Sequence, residues 1–377
     1  MSQQRIRAVY MRGGTSRALF FHEADLPKDR ALRDRILLAA LGSPDPYGRQ
    51  LDGLGGGISS LSKAVIVGPP TTAEADVDYT FAQVSVSEPL VDYTGNCGNC
   101  TGAVGPFAID ERLVPSVEPE TVVRLHNTNT RKLVVARVPV VDGEAAVTGD
   151  FELPGVPGKG ARIALDFLDP GGAVTGSLLP TGRPRDLLEV PSVGTVEASL
   201  VDATNPMVFV RAKDVGLAGS ELPDAVDSDR ALLARLEAIR ITAAKLMGIP
   251  TSPALPKIAI VAPAAPFCTL DGRTIQPSEA DVCARVISMG KCHRAFALTG
   301  AMCLAVAARI EGSVVTECVA PSPEGRGADL RLGHPSGVLP VNAIVERRGG
   351  EWWARQVTVY RTARRLMEGF VRVPSLV

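Results

Sequence analysis

This chain of 377 residues has few aromatic residues and almost no excess of charge of either sign. Phe, Trp and Tyr make up 5% of it, and 40 Lys and Arg against 41 Asp and Glu leave a net charge of −1. Nucleic-acid binding depends on a basic surface and on aromatic side chains that stack on bases. The composition therefore excludes nucleic acid from the expected partners.

Long apolar runs are also missing. No stretch approaches the roughly 20 residues that a membrane-spanning helix needs, and residues 1–7 lead into a strand-like run without an apolar leader segment. The seven cysteines are odd in number and form no framework of pairs, which is typical of proteins kept reduced. We expect a cytoplasmic protein with no membrane contact. Whether it forms a homodimer is left open by the sequence.

The chain is longer than most domains that fold around a single hydrophobic core, so two domains are expected. The 37 glycines and 29 prolines indicate many tight turns, which favours a sheet-rich architecture. Strand patterns are indicated at 6–10, 18–21, 63–67, 77–86, 121–125, 133–140 and 257–261. Helical patterns are indicated at 31–41, 101–109, 228–247, 278–288, 299–310 and 362–367, with Ser228 as the N-cap of the longest helix.

The most informative segment is 94–103, Thr-Gly-Asn-Cys-Gly-Asn-Cys-Thr-Gly-Ala. It places Cys97 in a Gly/Asn turn directly before a predicted helix. The first N–H groups of a helix have no internal partner and lie at its positive end, where they stabilise a thiolate and bind carboxylates. The segment indicates acid/base or nucleophilic chemistry on a carboxylate substrate.

Two plainer interpretations of the same segment stay open. Cys97 can be a small residue in a tight turn, or it can form a C-x-x-C metal or redox pair with Cys100. No second cysteine doublet accompanies this pair, and no dinucleotide-binding glycine pattern follows a strand. We therefore predict neither a metal nor a cofactor.

The triplet Thr101-Gly-Ala recurs as Thr299-Gly-Ala, each time opening a helix of small apolar residues. Two such buried helices, one in each half, suggest a duplicated fold. The second copy has no Cys-Gly-Asn before it, so any chemistry of paired halves is asymmetric.

The chain resembles the 2-methylaconitate cis–trans isomerase family (PrpF-like proteins) nearly from end to end. The resemblance rests on a series of motifs in the family's order: 11–16 (Met-Arg-Gly-Gly-Thr-Ser), 42–47, 50–56, 62–63 (Ser-Lys), 95–99 (Gly-Asn-Cys-Gly-Asn), 155–158, 179–182, 205–206, 298–301, 333–337 (Gly-His-Pro-Ser-Gly) and 361–367.

The resemblance implies the α+β fold of diaminopimelate epimerase, in which two similar domains each wrap a sheet or barrel around a central helix. We place the domains at 1–190 and 191–377, with the last segment free to cross back to the first. The resemblance also implies an isomerase without a cofactor that uses Lys63 and Cys97 as its acid/base pair. Diaminopimelate epimerase itself is disfavoured, because it needs a second Cys-Gly turn.

The residues support such a proton shift. Moving a double bond beside carboxylates goes through a dienolate, which needs a base, an acid and an anion site. Lys63 begins a buried-looking strand, where burial would favour the neutral amine and hence a base. A solvated lysine at a strand edge is the alternative, and which of Lys63 and Cys97 is the base stays open.

Oxyanion donors are predicted in several loops. Glycine turns let backbone N–H groups approach a ligand closely, and an arginine binds a carboxylate with two hydrogen bonds. Ordinary turns and exposed side chains are the alternatives for each of these residues. The predicted substrate-binding residues are Arg12, Gly13, Gly14, Thr15, Ser16, Gln50, Ser62, Gly98, Asn99, Arg294, Thr299, Gly300, His334 and Ser336.

Three departures from the family pattern leave the substrate open: Arg17 in place of a usual Lys, Leu61 where Thr is frequent, and Cys100 in place of an aliphatic residue. The leading hypothesis is an isomerase of a small unsaturated tricarboxylate, 2-methylaconitate, in propionate breakdown. The second is a 4-oxalomesaconate tautomerase or methylitaconate Δ-isomerase. The third is a non-catalytic carboxylate-binding protein, against which the presence of both Lys63 and Cys97 argues.

Overall fold

The computed structural model describes residues 3–252, 255–320 and 328–375. The chain forms two compact units, one of Met1–Phe167 with Tyr360–Val377 and the other of Leu168–Val359. The boundary expected after residue 190 thus lies after Phe167 instead. The strands after Phe167 explain the difference, because those at 186–190 and 194–203 pair with each other within the second unit.

The described residues contain five α-helices: α1 (Arg30–Leu41), α2 (Gly98–Asp110), α3 (Pro223–Ser228), α4 (Arg230–Leu246) and α5 (Leu298–Ala307). Asp29 caps α1 and Asp229 caps α4, each accepting a hydrogen bond from a backbone N–H in the first turn. The predicted cap Ser228 is wrong, because it ends α3 instead.

The strands of the first unit before the chain leaves it are β1 (Gln3–Gly13), β2 (Ser16–His22), β3 (Lys63–Gly68), β4 (Val77–Val84), β5 (Val91–Asp92), β6 (Glu120–Asn127), β7 (Lys132–Val141), β8 (Glu144–Ala145), β9 (Phe151–Glu152), β10 (Lys159–Gly160) and β11 (Ile163–Leu168). The remaining strands are β12 (Asp186–Val190), β13 (Gly194–Ala203), β14 (Asn205–Arg211), β15 (Lys257–Pro263), β16 (Phe267–Cys268), β17 (Thr274–Ile275), β18 (Val282–Ser288), β19 (Lys291–Cys292), β20 (Leu330–His334), β21 (Gly337–Arg348), β22 (Glu351–Arg361) and β23 (Ala363–Pro374).

Every predicted strand coincides with an observed one, whereas two predicted helices are wrong. Residues 282–288 of the segment 278–288 form β18, which pairs with β15 on one side and β20 on the other. Residues 363–367 of the segment 362–367 belong to β23, which pairs along its length with β1. Short apolar or alternating runs do not distinguish helix from strand, so partners on both sides decide.

The two units share one topology. In the first unit the strands pair in the order β23–β1–β2–β3–β4–β6–β7–β11. The pairs β2–β3 and β4–β6 are parallel, and the other five pairs are antiparallel. In the second, β12–β13–β14–β15–β18–β20–β21–β22 repeats that series in the same order. This repetition bears out the duplicated fold suggested by the two Thr-Gly-Ala segments.

Each unit has a buried helix at its centre, and the predicted α+β fold class is confirmed. Helix α2 is buried from Cys100 to Ile109 and contacts eight of its unit's paired strands, while α5 is buried from Gly300 to Ala307. Small residues make this possible: a Cβ on Gly105 would lie 2.8 Å from Val138 of β7. Ala297 caps α5 where Cys97 caps α2, so only the first start carries a thiol.

None of the helices in the described part of the chain is long and apolar enough to cross a membrane.

Candidate active site

A hydrogen-bond network holds Cys97 at the start of α2. The side chain of Asn96 accepts from the backbone N–H of Cys97 at 2.7 Å and donates to the hydroxyl of Tyr79 at 3.1 Å. The Thr101 hydroxyl lies 3.0 Å from that of Tyr79 and donates to the carbonyl of Cys97. Sequence analysis missed Tyr79, since a strand residue contacting this turn requires knowledge of the fold.

The environment of Cys97 favours its thiolate. A hydrogen bond from the Cys100 thiol is the largest cause, burial opposes it, and the positive charge of Lys63 and the backbone N–H groups of Cys100 and Asn99 add to the effect. Together they lower the pKa of Cys97 to about 5. Burial and the same hydrogen bond raise the pKa of Cys100 well above its usual value.

We expect the reactivity of Cys97 to follow its thiolate down to acidic pH. Alkylation of Cys97 by iodoacetamide should be half-maximal near pH 5, against about 8.5 for an ordinary thiol. The exposed Cys268 provides the internal control, followed on its own peptide by mass spectrometry. Half-maximal labelling of Cys97 at the same pH as Cys268 would contradict a stabilised thiolate.

Lys63 begins β3 and is buried beside Cys97's turn. Its Nζ donates to the side-chain carbonyl of Gln83 and lies 5.1 Å from the centre of the Phe81 ring. The Gln83 amide donates in turn to the carbonyls of Ser62 and Ser59, which orients its own oxygen toward the lysine. A hydrogen-bond acceptor and an aromatic face both suit an ammonium group.

Gln50 and Ser62, both predicted to bind substrate, are engaged inside the protein. The Gln50 amide donates to the hydroxyls of Ser43 and Ser62 and accepts from the Gly57 N–H. The Ser62 hydroxyl donates to the Val84 carbonyl. Both are almost wholly buried, so we propose that they hold the start of β3, and with it Lys63, in place.

The glycine turn at 13–14 lies close to the first turn of α2, and substrate contact at these glycines stays a prediction. A Cβ on Gly13 would lie 2.5 Å from the carbonyl oxygen of Asn99, and one on Gly14 would lie 2.3 Å from its side-chain oxygen. The Gly14 N–H donates to the carbonyl of Thr362, and Arg12 donates to the carbonyls of both Gly14 and Thr362. Arg12 and the glycines thus position the turn.

The two residues after the glycines face the cysteine helix. The Asn99 amide donates to the Thr15 hydroxyl at 3.0 Å, and the Ser16 hydroxyl lies 4.0 Å from the sulfur of Cys97. Gly98 is the first helical residue after Cys97. The structure therefore brings the predicted residues 12–16, Lys63 and 97–99 together within one unit.

Arg361 is a functional candidate that sequence analysis did not include among the binding residues. It is 5% exposed, its Nη1 donates to the Tyr360 carbonyl, and its Nε has no partner among the residues described. The side chain packs on Gly14 and Gly102, whose Cβ positions would lie 2.9 Å from its carbons. Burial lowers the pKa of Arg361 to about 10, and the negative charge of Cys97 opposes this.

The other predicted binding residues lie in the second unit, where His334 and Ser336 form a local pair. The Ser336 N–H donates to Nδ1 of His334, and its hydroxyl donates to the carbonyl of Arg294. Burial, with the positive charges of Arg285 and His293, lowers the pKa of His334 to about 3. His334 is therefore neutral at physiological pH.

Arg294, Thr299 and Gly300 lie around the start of α5. The guanidinium of Arg294 is exposed and pairs with Asp224 at 3.2 Å, as expected for an arginine on a solvated surface. Thr299 is exposed, and its carbonyl accepts from Thr204. Gly300 is buried, and a Cβ there would lie 3.3 Å from Phe296 and 3.4 Å from Met207. Substrate contact at these residues stays a prediction.

Within residues 3–252, 255–320 and 328–375, no three His, Cys, Asp or Glu side chains are grouped as ligands of a metal ion.

These features make the start of α2 a candidate acid/base site, and comparison with known proteins identifies the family of the chain. A sequence profile described as "PrpF protein" matches residues 3–374. The chain is 45% identical to the 3-methylitaconate isomerase of Eubacterium barkeri over 98% of each chain. It is 42% identical to the 2-methyl-aconitate isomerase of Shewanella oneidensis over 99% of this chain and 98% of that one. The solved structure of a methylitaconate-delta-isomerase matches it with a TM-score of 0.93 at 44% identity, covering 99% of this chain and 96% of the other.

The chain belongs to the PrpF family. The protein is an isomerase, so the hypothesis of a non-catalytic binding protein is not retained.

Proposed function

We propose that this protein isomerises 2-methylaconitate by a cofactor-independent proton shift, with Cys97 as the base and Lys63 as the acid. The observation that carries the proposal is the position of Cys97 at the start of α2, where hydrogen bonds and the charge of the nearby Lys63 lower the pKa of the thiol to about 5. A base and an acid already in opposite charge states are what a proton shift needs before it begins.

The proposed reaction has two proton transfers. The Cys97 thiolate takes an allylic proton, and the electron pair left behind spreads over the double bond onto a carboxylate oxygen. Lys63 then donates a proton to the far end of the allylic system. The proton on Cys97 returns to Lys63 through solvent, which restores the starting charges and leaves an isomer of the substrate.

Positive charge and helix N–H groups support the negative intermediate. The buried guanidinium of Arg361 lies in the same unit, packed on the glycine turn and on α2. The first-turn N–H groups of α2 add the positive end of the helix dipole. We propose that this combination favours substrates with several carboxylates. The seven cysteines are free, which supports a cytoplasmic location.

The test is a direct assay of the purified protein. Proton NMR would follow 2-methylaconitate, methylitaconate and 4-oxalomesaconate separately, each with and without a chelator such as EDTA. We expect the highest kcat/KM with 2-methylaconitate and no loss of rate with chelator. Turnover of only methylitaconate or 4-oxalomesaconate would select the alternative substrates, and turnover of none would refute the proposal.

The proposed electrostatic role of Arg361 can be tested through the pKa of Cys97, which a role in packing alone would leave unchanged. Replacing Arg361 by Met removes a buried positive charge, so the pKa of Cys97 should rise by about one and turnover should fall at least about tenfold. The variant also loses the hydrogen bond from Arg361 to the Tyr360 carbonyl, so thermal unfolding should be measured beside turnover to separate stability from chemistry. Arg361→Lys keeps a charge and should recover part of the activity. An unchanged alkylation profile of Cys97 in Arg361→Met would contradict this role.

A further inference from the structure

Two cysteines share the first turn of α2. Cys97 is its N-cap and Cys100 its third residue, and they are the only cysteines in the sequence of the first unit. Helix geometry places Cα atoms three residues apart at roughly 5 Å. That separation lies within the range of about 4.4–6.8 Å over which a disulfide forms without moving the backbone. Each cysteine is also the largest cause of the other's pKa shift, which is downward for Cys97 and upward for Cys100, so the two side chains interact.

The two sulfurs differ in exposure and in charge. Cys97 is partly exposed, whereas Cys100 is 2% exposed. Cys97 lies beside the ammonium group of Lys63 and at the positive end of α2, and Cys100 donates its proton toward the Cys97 sulfur. An accessible thiolate next to a protected thiol is the arrangement of an attacking and a resolving cysteine.

We propose that Cys97 and Cys100 form a peroxide-reactive pair that closes into a disulfide and switches the isomerase off reversibly. The Cys97 thiolate attacks one oxygen of hydrogen peroxide, the O–O bond breaks, and hydroxide leaves. Cys97 is then a sulfenic acid, and the peroxide has been reduced. The Cys100 sulfur next attacks the Cys97 sulfur, the S–O bond breaks, and the second hydroxide takes up the Cys100 proton to leave as water.

The disulfide has two consequences for the proposed active site. It removes the base, because the Cys97 sulfur no longer holds a free electron pair with a negative charge. It also protects that sulfur, because a sulfenic acid without a resolving partner proceeds to sulfinic acid, which thiols do not reverse. Cys100 therefore turns irreversible damage at a catalytic thiolate into a state that a dithiol repairs. The loss of activity rests on the proposed function, whereas the cross-link itself does not.

The test compares wild type with Cys100→Ser, with Cys100→Ala as a second variant should serine disturb the helix. Each is treated with hydrogen peroxide, then with dithiothreitol, and the peptide spanning 97 and 100 is examined by mass spectrometry. Wild type should lose two hydrogen atoms from this peptide and regain them with dithiothreitol. The variants should instead gain two oxygen atoms on Cys97, which dithiothreitol does not remove. Cys268→Ser, far along the chain on an exposed strand, should behave as wild type.

Activity provides the second readout where the protein turns over substrate. After treatment with peroxide and then dithiothreitol, each protein's activity is expressed as a fraction of its own activity before treatment. This fraction should be at least about tenfold larger for wild type than for Cys100→Ser. Oxygen added to Cys97 in wild type without a link to Cys100 would overturn the proposal, as would a disulfide with any other cysteine. A protein that forms the link yet isomerises none of the three substrates would refute the proposed function and leave the pair standing.

Discussion

Replacing Cys97 by Ser should lower kcat by about 10²-fold or more, the usual contribution of a positioned acid or base. Serine keeps the size and the helix N-cap, but its hydroxyl is far less acidic than the thiol. The hydrogen bond from Cys100, the charge of Lys63 and the helix N–H groups cannot bring it to an anion near neutral pH. Initial rates with 2-methylaconitate at saturating concentration measure this loss directly.

Two comparisons separate chemistry from structure in this variant. KM should change much less than kcat, because Cys97 acts on a proton rather than holding the substrate. Cys268→Ser, which removes an exposed thiol from the second unit, should keep wild-type rates. A Cys97→Ser protein that retains more than about a tenth of wild-type turnover would be incompatible with a thiolate base.

Replacing Lys63 by Met should also lower kcat by about 10²-fold or more. Methionine fills the buried space at the start of β3 but has no proton to give to the far end of the allylic system. The Gln83 amide that now accepts from Lys63 would lose its partner, so a modest loss of stability is expected as well. Thermal unfolding of the variant distinguishes that loss from the loss of turnover.

The duplicated topology offers a matched control for Lys63. Lys257 is the first residue of β15, and β15 occupies the same place in the second unit's strand order as β3 does in the first. Lys257→Met removes the equivalent lysine from a unit whose helix α5 begins at Ala297 rather than at a cysteine. It should cost less than about tenfold in kcat. Equal losses in the two variants would mean that Lys63 owes its effect to its place in the fold and not to Cys97.

Much of the fold could be predicted from local sequence. The strands at 63–67 and 77–86 could be predicted because each is a stretch of β-branched and apolar residues bounded by residues that favour turns. The central helices were readable because a buried helix needs small residues, as in Thr-Gly-Ala. The helix predicted at 278–288 was wrong, since a short, mostly apolar segment such as 282–288 suits a strand and a helix equally. Its pairing with β15 and β20, distant in sequence, decides the outcome.

The two residues of the proposed acid/base pair could be named from the sequence, but the residues that contact them could not. Lys63 and Cys97 stand in recognisable motifs, whereas Gln83 meets Lys63 only through the register of β3 on β4. Arg361 ends a strand more than 250 residues after the cysteine, and its role depends on packing against Gly14 and Gly102. Single-sequence patterns carry helix and strand signals but no register between strands, so such contacts need the fold.

Hydrogen exchange in D₂O tests most directly whether Cys97 is the base and Lys63 the acid. With wild type, the product should carry deuterium at the carbon that receives the new proton. With Lys63→Met, net isomerisation should stop, while the allylic hydrogen of recovered substrate exchanges at a rate far above that in Cys97→Ser. This follows because only Cys97 is then needed to remove and return that proton. The opposite pattern, with exchange surviving in Cys97→Ser and absent in Lys63→Met, would make Lys63 the base and contradict the assignment.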